Sequence, residues 1–397
     1  MVFIGRIWNR VEPGTLTVAN FTRDKAAGGF RRLFTELEGS WIVALVEKDK
    51  LLCCRDPIGV IPLYYGYCEE FLGIASNAKT LLTAGLTPIR VSPGHVVELT
   101  PKGISDEKVA VLENPKPSVI SIEDATTHLH NLLKKAVTRT CFEIRSPTLA
   151  FSGGIDSVLI ANQMKEIGTK PHLTCVGVED SPDLEAAERA AEYLDMSLST
   201  RTYDETEIDE HLDTILASVE EANPMKIGVA IPLYLVALEA SAHDCRVVVS
   251  GNGSDELFGG YMRYIEQYQR GESVRETMYS DVIHSCEVNF ERDWKICVDL
   301  GTELRLPYAD PELTRFALSL PLSYKLPTNG KEPRKIILRR LALGLGLPDE
   351  ITLRPKKAAQ YSSGASKIIE KLAKKRGKTV GGYLADRFER LGVHRNE

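Results

Sequence analysis

Residues 148–157 read Thr-Leu-Ala-Phe-Ser-Gly-Gly-Ile-Asp-Ser and join a short apolar strand to a glycine-rich turn. Gly153 and Gly154 let the backbone approach a phosphate closely, and the hydroxyl groups of Ser152 and Ser157 add hydrogen-bond donors. A helix is predicted directly after this turn, so its N-terminus adds free N–H groups and a positive dipole end. The stretch therefore predicts an anion-binding loop at the carboxyl end of a strand, where open α/β sheets bind ligands.

The chain around this loop alternates short apolar strands with helical stretches. The strands are predicted over Thr148–Phe151, His172–Val178 and Arg246–Val249, and the helices over 158–168, 183–195 and 230–242. Such alternation is typical of a parallel sheet with crossover helices. We therefore predict a doubly wound parallel-sheet α/β domain. Its part beyond Phe258 is predicted to be mainly helical, with a solvated helix pair in Lys367–Glu397.

In the first part of the chain, the apolar residues occur in short runs rather than at helical spacing. Compact apolar or aromatic runs occur at 41–46, 51–54, 61–67 and 95–99, separated by turn residues. They predict a small β-rich domain. The segment Glu113–Ser118 contains two prolines and no apolar residue, so it reads as a linker. We predict domains at 1–115 and 116–397. The second opens with a helix capped by Ser121, whose positions 125, 129, 132, 133, 136 and 137 share an apolar face.

Composition and charge argue against several classes of protein. The 397 residues are 43% hydrophobic and carry a net charge of −6, which argues against a nucleic-acid partner. The N-terminal apolar stretch is too short for a secretory signal, and the apolar run Val229–Leu238 is interrupted by Pro232. We therefore expect a cytoplasmic protein with no membrane segment. Eight cysteines without a C-x-x-C pair predict buried, reduced thiols rather than a metal site.

A second glycine-rich turn follows another predicted strand, in the stretch Val247–Tyr261. Taken alone, it is equally well explained as a loop with a helix cap at Ser254 or Asp255. Paired with the first loop, it adds a carboxylate at a second strand end. We predict that Asp156 and a carboxylate of this second turn together hold Mg²⁺ against phosphates through oxygen ligands.

These blocks together resemble the synthetase domain of the asparagine synthetase family, a branch of the N-type ATP pyrophosphatases that also includes β-lactam and carbapenam synthetases. The resemblance rests on five stretches in order, from about residue 120 to about residue 365. They are Ser152–Ser157, Glu221–Pro224, Ser250–Tyr261, Glu303–Asp310, and Lys335–Arg339 followed by Arg354–Lys356.

The first domain resembles the back half of the family's glutaminase, an N-terminal-nucleophile hydrolase, through Arg55–Gly66 and Ile74–Lys79. The family needs a cysteine as the first residue of the mature chain. Here Val2 follows Met1, and Cys53 and Cys54 are internal. We therefore expect a truncated, degenerate glutaminase domain with a structural role.

The resemblance implies ATP as a substrate and Mg²⁺ as a cofactor, with Asp156 and Asp255 as the magnesium ligands. It assigns ATP and pyrophosphate binding to the two loops and to a lysine further on, namely Ser152, Gly153, Gly154, Asp156, Ser157, Ser250, Gly251, Gly253 and Lys335. It assigns transition-state charge stabilisation to Lys356, with Lys357 as the alternative register. The following segment, Tyr361–Ser366, is either a mobile cover or a linker.

Asn252 departs from the family pattern. Asparagine synthetases have glutamate at this point, where it handles the attacking nitrogen or its proton, and β-lactam-forming relatives have tyrosine. Asparagine is neither an acid nor a base. Either Glu256 or Glu303 takes the proton, or the amine needs no base, or the acceptor differs from free ammonia. Glu303 is equally well explained as an ion-pair partner of a nearby arginine.

The function implied is an ATP-dependent amide-forming ligase. It adenylates a small carboxylate, by default aspartate, and transfers ammonia or another amine without a glutaminase of its own. The alternative in the same family is a special-metabolite lactam or peptide-cyclising ligase. Further alternatives are an RNA-adenylating enzyme and a non-catalytic scaffold. The family also implies a homodimer, and a separate ammonia-supplying protein is a candidate partner.

Overall fold

A computed structural model describes residues 2–8, 34, 37–47, 49–327 and 333–392. The chain divides into two compact units, one within Met1–Glu113 and the other spanning Asn114–Gly392.

The first unit consists mainly of antiparallel strands, as predicted. The strands are β1 (Val2–Ile7), β2 (Gly39–Glu47), β3 (Lys50–Arg55), β4 (Tyr64–Tyr67), β5 (Leu72–Ala75), β6 (Ile89–Arg90), β7 (His95–Thr100) and β8 (Gly103–Lys108), with helix α1 (Ala78–Thr83) after β5. They form a five-stranded sheet in the order β1-β2-β3-β7-β8 and a three-stranded sheet in the order β5-β4-β6. Alternate residues of β2, including Trp41, Val43 and Leu45, are buried in one cluster, and the rings of Trp41 and Phe34 stack 5.4 Å apart.

The second unit is built on a five-stranded parallel sheet. Its strands are β9 (Thr148–Ala150), β10 (His172–Gly177), β11 (Leu198–Thr202), β12 (Val247–Val249) and β13 (Glu303–Arg305), in the order β11-β10-β9-β12-β13. The chain runs outward from β9 to β11 and then returns to β12 on the other side of β9. The direction of winding therefore reverses between β9 and β12, and the crevice at such a switch point is where open α/β sheets bind ligands.

Helices make up most of the remainder of this unit. Their bounds are α2 (Ile122–Thr140), α3 (Ile155–Glu166), α4 (Pro182–Leu194), α5 (Glu205–Val219), α6 (Pro224–Ala242), α7 (Ser254–Phe258), α8 (Met262–Gln269), α9 (Val274–Ser285), α10 (Glu291–Asp299), α11 (Pro311–Ser319), α12 (Ile336–Gly344), α13 (Asp349–Thr352), α14 (Ala359–Ser362), α15 (Ala365–Lys375) and α16 (Val380–Arg390). A π-helical turn, Cys286–Phe290, joins α9 to α10, and 3₁₀ turns occupy Pro307–Ala309 and Leu322–Tyr324. The predicted fold class is confirmed.

The sequence placed one helix start too late. α3 begins at Ile155 rather than at 158, because Gly154 is extended and serves as the N-cap. Asp156 and Ser157 therefore lie in the first helical turn, not before it. The cap of α2 is as predicted: Ser121 accepts a hydrogen bond from the backbone N–H of Asp124, and the predicted apolar face is buried.

Helix α6 starts earlier than predicted and continues through Pro232. An interior proline costs a helix about 3 kcal/mol, and here burial outweighs that cost. Ile227, Ile231 and Leu235 are fully buried, and α6 packs against β9, β10, β12, α5 and α10. Among the described helices, α6 has the length and mean hydropathy, 1.5, of a membrane span, yet 56% of that window is buried inside the protein. It is therefore a core helix.

Candidate active site

A cavity of about 490 Å³ lies at the carboxyl ends of β9 and β12. It is lined by most of the residues that the sequence singled out, namely Ser152, Gly154, Asp156, Ser157, Ser250, Gly251, Asn252, Asp255, Glu256 and Lys356. Its volume is within the range of small-molecule sites. The two sequence motifs, about 100 residues apart, thus form one site.

The first loop is shaped as an anion site. Gly153 has a φ of +64°, a left-handed conformation that favours glycine. The N-cap of α3, Gly154, offers no side chain to the first turn, so that turn's N–H groups have no side-chain cap. The hydroxyl of Ser157 donates to the carbonyl of Gly154 at 3.0 Å and closes the loop. These N–H groups and the dipole of α3 favour a bound phosphate.

Gly153→Ala should lower the free energy of unfolding of the second unit more than the matched substitution Gly168→Ala does. A Cβ at residue 153 would lie 2.3 Å from the carbonyl oxygen of Ala186, whereas a Cβ at Gly168, which also has positive φ, meets nothing within 4 Å. We expect a loss of roughly 3 kcal/mol for Gly153→Ala and about 1 kcal/mol for Gly168→Ala, measured by urea unfolding. Equal losses would show that the packing of the loop on α4 is not what requires glycine.

The second loop packs tightly on the first. A Cβ at Gly251 would lie 3.1 Å from the Cβ of Asp156, and a Cβ at Gly260 would lie 1.9 Å from Asp255 Oδ1. Gly253 has a φ of +95° and is the N-cap of α7. These glycines bring the two loops together and leave room for the Asp255 side chain.

Lys335 lies at the centre of the site, below the cavity surface. Its Nζ is 2.7 and 2.6 Å from the two carboxylate oxygens of Asp156, 2.6 Å from Asp255 Oδ1 and 2.7 Å from the hydroxyl of Ser254. The side chain is completely buried. Its backbone has a φ of +64°, an unfavourable conformation for lysine that the surrounding structure must stabilise. Lys335 therefore joins the two loops through their carboxylates.

Lys356 supplies a second cation at the cavity wall, with Nζ 3.0 Å from Asp255 Oδ2. Burial alone would raise the pKa of Asp255, but Lys335 and Lys356 outweigh this and lower it well below its ordinary value. Burial would also lower the pKa of Lys356, which Asp255 and Asp156 instead raise. Asp255 is therefore ionised and Lys356 protonated at neutral pH. Lys357 is exposed and has no such contact with Asp255 among the described ion pairs.

Three arginines that sequence reasoning did not assign hold this arrangement in place. Arg334 donates to the carbonyl oxygens of Gly260 and Lys356 at 2.6 and 2.7 Å. Arg339 donates to the carbonyl oxygen of Arg354 at 3.0 Å. Arg354 in turn donates to the carbonyl oxygen of Ser152 at 2.9 Å. The Lys356 segment is thereby tied to both glycine-rich loops.

The segment Tyr361–Ser366 forms part of the cavity wall. Ser362 and Ser363 are buried and line the cavity. The carbonyl of Ser363 accepts hydrogen bonds from the N–H of Val178 and the hydroxyl of Tyr203, both at 2.9 Å. The segment is therefore anchored to the end of the sheet.

The carboxylates Asp156 and Asp255 suit Mg²⁺. In the described part of the chain no group of three or more His, Cys, Asp or Glu side chains is arranged for one metal ion. Mg²⁺ at phosphate sites needs only one or two carboxylates, because phosphate oxygens and water complete its shell. Both carboxylates line the cavity and contact the ammonium group of Lys335, so they are the two side chains that would hold the ion.

Glu256 is a buried carboxyl group at the cavity wall, with 2% of its surface exposed. Its Oε1 accepts from the hydroxyl of Tyr261 at 2.5 Å and from the amide of Asn289 at 2.8 Å. Its Oε2 has no hydrogen-bond partner among the described residues. Burial raises the pKa of Glu256, and the neighbouring Asp255 raises it further. Such a carboxyl group can exchange a proton with a bound ligand.

Glu303 is not brought to the cavity. It starts β13 opposite Val247, at the amino ends of the strands, whereas the cavity lies at their carboxyl ends. Its carboxylate pairs with Arg305, at 2.9 and 3.1 Å from the guanidinium. The structure therefore favours the ion pair with a nearby arginine, and Glu303 is not among the described residues that line the cavity.

Two of the cysteines described in the first unit are buried in its larger sheet, whereas Cys68 is exposed. Cys53 and Cys54 lie on β3 and are buried. Burial raises the pKa of the Cys53 thiol to about 12 and that of Cys54 well above its ordinary value. The adjacent Arg55 and Asp56 make buried hydrogen bonds to backbone groups of their own unit, including Gly59. The buried positions and contacts of these four residues indicate that they stabilise the fold of the first unit.

The fold and the site define a class: an α/β protein with a glycine-rich loop and paired carboxylates at the switch point of its parallel sheet. The chain belongs to the asparagine synthase family, since the family model described as asparagine synthase matches residues 128–275 and 266–389. A model for a glutamine amidotransferase domain matches residues 17–83. The predicted family and enzyme class, an ATP-dependent ligase, are confirmed.

Similar proteins carry asparagine synthetase names. The chain is 33% identical to "Putative asparagine synthetase [glutamine-hydrolyzing] 1" of Methanocaldococcus jannaschii, over 86% of this chain and 72% of that protein. It is 29% identical to "Asparagine synthetase [glutamine-hydrolyzing]" of Homo sapiens, over 86% of this chain and 66% of that protein. Among solved structures, it resembles NMN synthetase from Francisella tularensis at 16% identity and a TM-score of 0.34, over 68% of this chain and 92% of that one.

Proposed function

We propose that the protein adenylates a small carboxylate, by default aspartate, and transfers ammonia or another amine to it, forming an amide, AMP and pyrophosphate. The observation that carries this proposal is the buried Lys335, joined to Asp156 and Asp255 beside an uncapped phosphate loop. The arrangement concentrates cations and N–H donors where pyrophosphate would leave.

In the first half-reaction, a carboxylate oxygen attacks the α phosphorus of ATP and the bond to the bridging oxygen breaks, releasing pyrophosphate. The loop Ser152–Ser157 would bind the leaving group, and Lys356 would stabilise its developing charge. Bound Mg²⁺, held by Asp156 and Asp255, would neutralise phosphate charge. Lys335 would keep these two carboxylates in position.

In the second half-reaction, the amine lone pair attacks the acyl carbon, the carbon–oxygen bond breaks and AMP leaves with that electron pair. The attacking nitrogen must lose a proton. Glu256 is suited to accept it, because Oε2 is unpaired among the described residues and the pKa of the group is raised. We assign Glu303 no part in this step, because it pairs with Arg305 and is not among the described residues that line the cavity.

We infer that nitrogen comes from free ammonia or from a separate ammonia-supplying protein rather than from the first unit. Support comes from Cys53 and Cys54, which are buried and have raised pKa values, so neither is a ready nucleophile. A homodimer stays an expectation from the family resemblance, and a cytoplasmic location stays an expectation from the sequence pattern.

A second candidate is a special-metabolite ligase that forms a lactam or a cyclic peptide. Asn252 favours it, because that side chain lines the cavity and cannot act as acid or base. In that case the amine would belong to the substrate itself and turnover would need no ammonia.

The experiment is to measure pyrophosphate and AMP from ATP and Mg²⁺ with aspartate, comparing ammonia, glutamine and no nitrogen donor. We expect turnover with ammonia and none with glutamine. Equal turnover with glutamine would refute the inferred lack of glutaminase activity. No product with aspartate or with a panel of other carboxylates would refute the ligase proposal and favour a non-catalytic scaffold.

Glu256→Gln should slow amide formation about a hundredfold while pyrophosphate release changes only a few-fold. The glutamine carbonyl can still accept from Tyr261 and Asn289, so the structure is retained. Because the pKa of Glu256 is raised above its ordinary 4.5, the wild-type rate should fall as pH decreases through this higher value. Glu256→Gln should lack that fall. Glu303→Gln is the control and should behave like wild type. A normal rate in Glu256→Gln would remove this residue from the reaction.

A further inference from the structure

The π-helical turn Cys286–Phe290 brings a set of polar side chains to the cavity that no sequence motif pointed to. Asn289 lies in this turn, and Arg292 and Asp293 lie in the first turn of α10. All three line the cavity. π-helical turns insert one residue into a helix and are frequent at functional sites.

These side chains form one hydrogen-bonded chain. Asp293 Oδ2 accepts from the amide of Asn252 at 2.5 Å, and Asp293 Oδ1 accepts from Arg292 Nε at 2.6 Å. Arg292 Nη1 approaches Asn289 Oδ1 to 3.4 Å, and Asn289 donates to Glu256 Oε1 at 2.8 Å. The carboxylate of Asp293 is thus held from both sides and linked to that of Glu256.

The orientation of Asn252 is fixed. Its Oδ1 accepts from the N–H of Gly253 at 2.8 Å, so its NH₂ group faces Asp293. A carboxylate in place of this amide would face Asp293 at hydrogen-bond distance and be repelled. The neutral side chain at 252 is therefore matched to the carboxylate at 293.

Asp293 retains capacity for a ligand. It is 3% exposed, and each of its oxygens has a second lone pair beyond the bonds from Asn252 and Arg292. Glu256 lies beside the ion pair of Asp293 and Arg292, so the carboxyl oxygens of two residues are available here as hydrogen-bond acceptors. Such acceptors favour a cationic nitrogen over an anion.

We propose that Asp293 binds the nitrogen nucleophile, with Asn252 and Arg292 as its positioning residues. This inference rests on the proposed function. Ammonium, or a substrate ammonium group, donates an N–H to Asp293 and loses one proton to solvent. The freed lone pair attacks the acyl carbon, AMP leaves with the electrons of the broken carbon–oxygen bond, and a second proton passes to Glu256.

The test compares wild type with Asp293→Asn, Asn252→Asp and the double variant that exchanges the two side chains. Each is assayed for ATP–pyrophosphate exchange with aspartate, which needs no nitrogen, and for KM of ammonia in amide formation. We expect exchange within about threefold of wild type throughout, and KM for ammonia raised at least about tenfold in both single variants. The double variant should recover most of the lost affinity for ammonia. Its carboxylate is at position 252 and its amide at position 293, so the same hydrogen-bonded pair is kept with the two groups exchanged.

Unchanged KM for ammonia in Asp293→Asn, with normal exchange, would overturn this role for Asp293 alone. Absence of exchange in wild type, with aspartate and with other carboxylates, would instead overturn the proposed function. Thermal unfolding of the four proteins tests the contact independently. Asn252→Asp should lower Tm, and adding Asp293→Asn should restore it. Additive changes in Tm would overturn the coupling between the two positions.

Discussion

Lys335→Met should reduce pyrophosphate release about a thousandfold or more, the largest effect expected of a single change in this protein. Lys335 is completely buried, and its ammonium contacts Asp156, Asp255 and Ser254. Without it, two carboxylates face each other with one less cation between them, and the loops lose their common anchor. Breaking a buried ion pair also costs roughly 3–5 kcal/mol, so Tm should fall. Steady-state pyrophosphate release and thermal unfolding are the measurements.

Lys295→Met is the matched control for this experiment. Lys295 is also a buried lysine between two carboxylates, with Nζ 2.6 Å from Glu220 and 2.7 Å from Glu291. It does not line the cavity. We therefore expect a similar fall in Tm but near-normal turnover of the folded protein. Similar turnover in the two variants would mean that Lys335 acts only through stability.

Asp255→Asn should have the second-largest effect, with pyrophosphate release also lowered about a thousandfold. Its carboxylate contacts both Lys335 and Lys356, and the neutral amide would leave both cations less compensated. Asp310→Asn, a change at a buried aspartate paired with Arg139 outside the cavity, is the control and should retain turnover. Retained turnover in Asp255→Asn would refute its part in the site.

The lowered pKa of Asp255 predicts that the free energy of unfolding depends on pH. Because the folded-state pKa of Asp255 is lowered, its ion pairs stabilise the protein fully above the unfolded value of about 3.9. That stabilisation is lost as pH falls through the lower folded value. The free energy of unfolding should therefore fall less steeply below pH 4 in Asp255→Asn than in wild type.

Much of the second unit could be predicted because its strands are short apolar runs followed by glycine-rich turns. The signals were local, and the structure has strands at 148–150, 172–177 and 247–249. Pro232 was misleading because a local rule marks it as a helix breaker, whereas the packing around α6 is decided by distant segments. The helix α3 starts earlier than the sequence indicates, because Gly154 is its N-cap and not a residue inside the loop.

The site was predictable only where residues come in motifs. The carboxylates at the ends of β9 and β12 could be paired, because carboxyl ends of parallel strands meet at one edge. Asn289, Arg292 and Asp293 lie on ordinary helical sequence, and a π-helical turn directs them to the cavity. Nothing local signals that turn. The position of Glu303 could have been recognised, because a residue that starts a strand lies at the opposite edge.

Transfer of a carboxylate oxygen to AMP is the most direct test of whether the protein adenylates a carboxylate. The protein is incubated with ATP, Mg²⁺, ammonia and the carboxylate that supports turnover, aspartate first, labelled with ¹⁸O in its carboxyl groups. We expect one ¹⁸O atom in the phosphate of AMP and none in pyrophosphate, detected by mass spectrometry. Unlabelled AMP, or ADP formed together with ¹⁸O-labelled phosphate, would contradict the adenylation of a carboxylate.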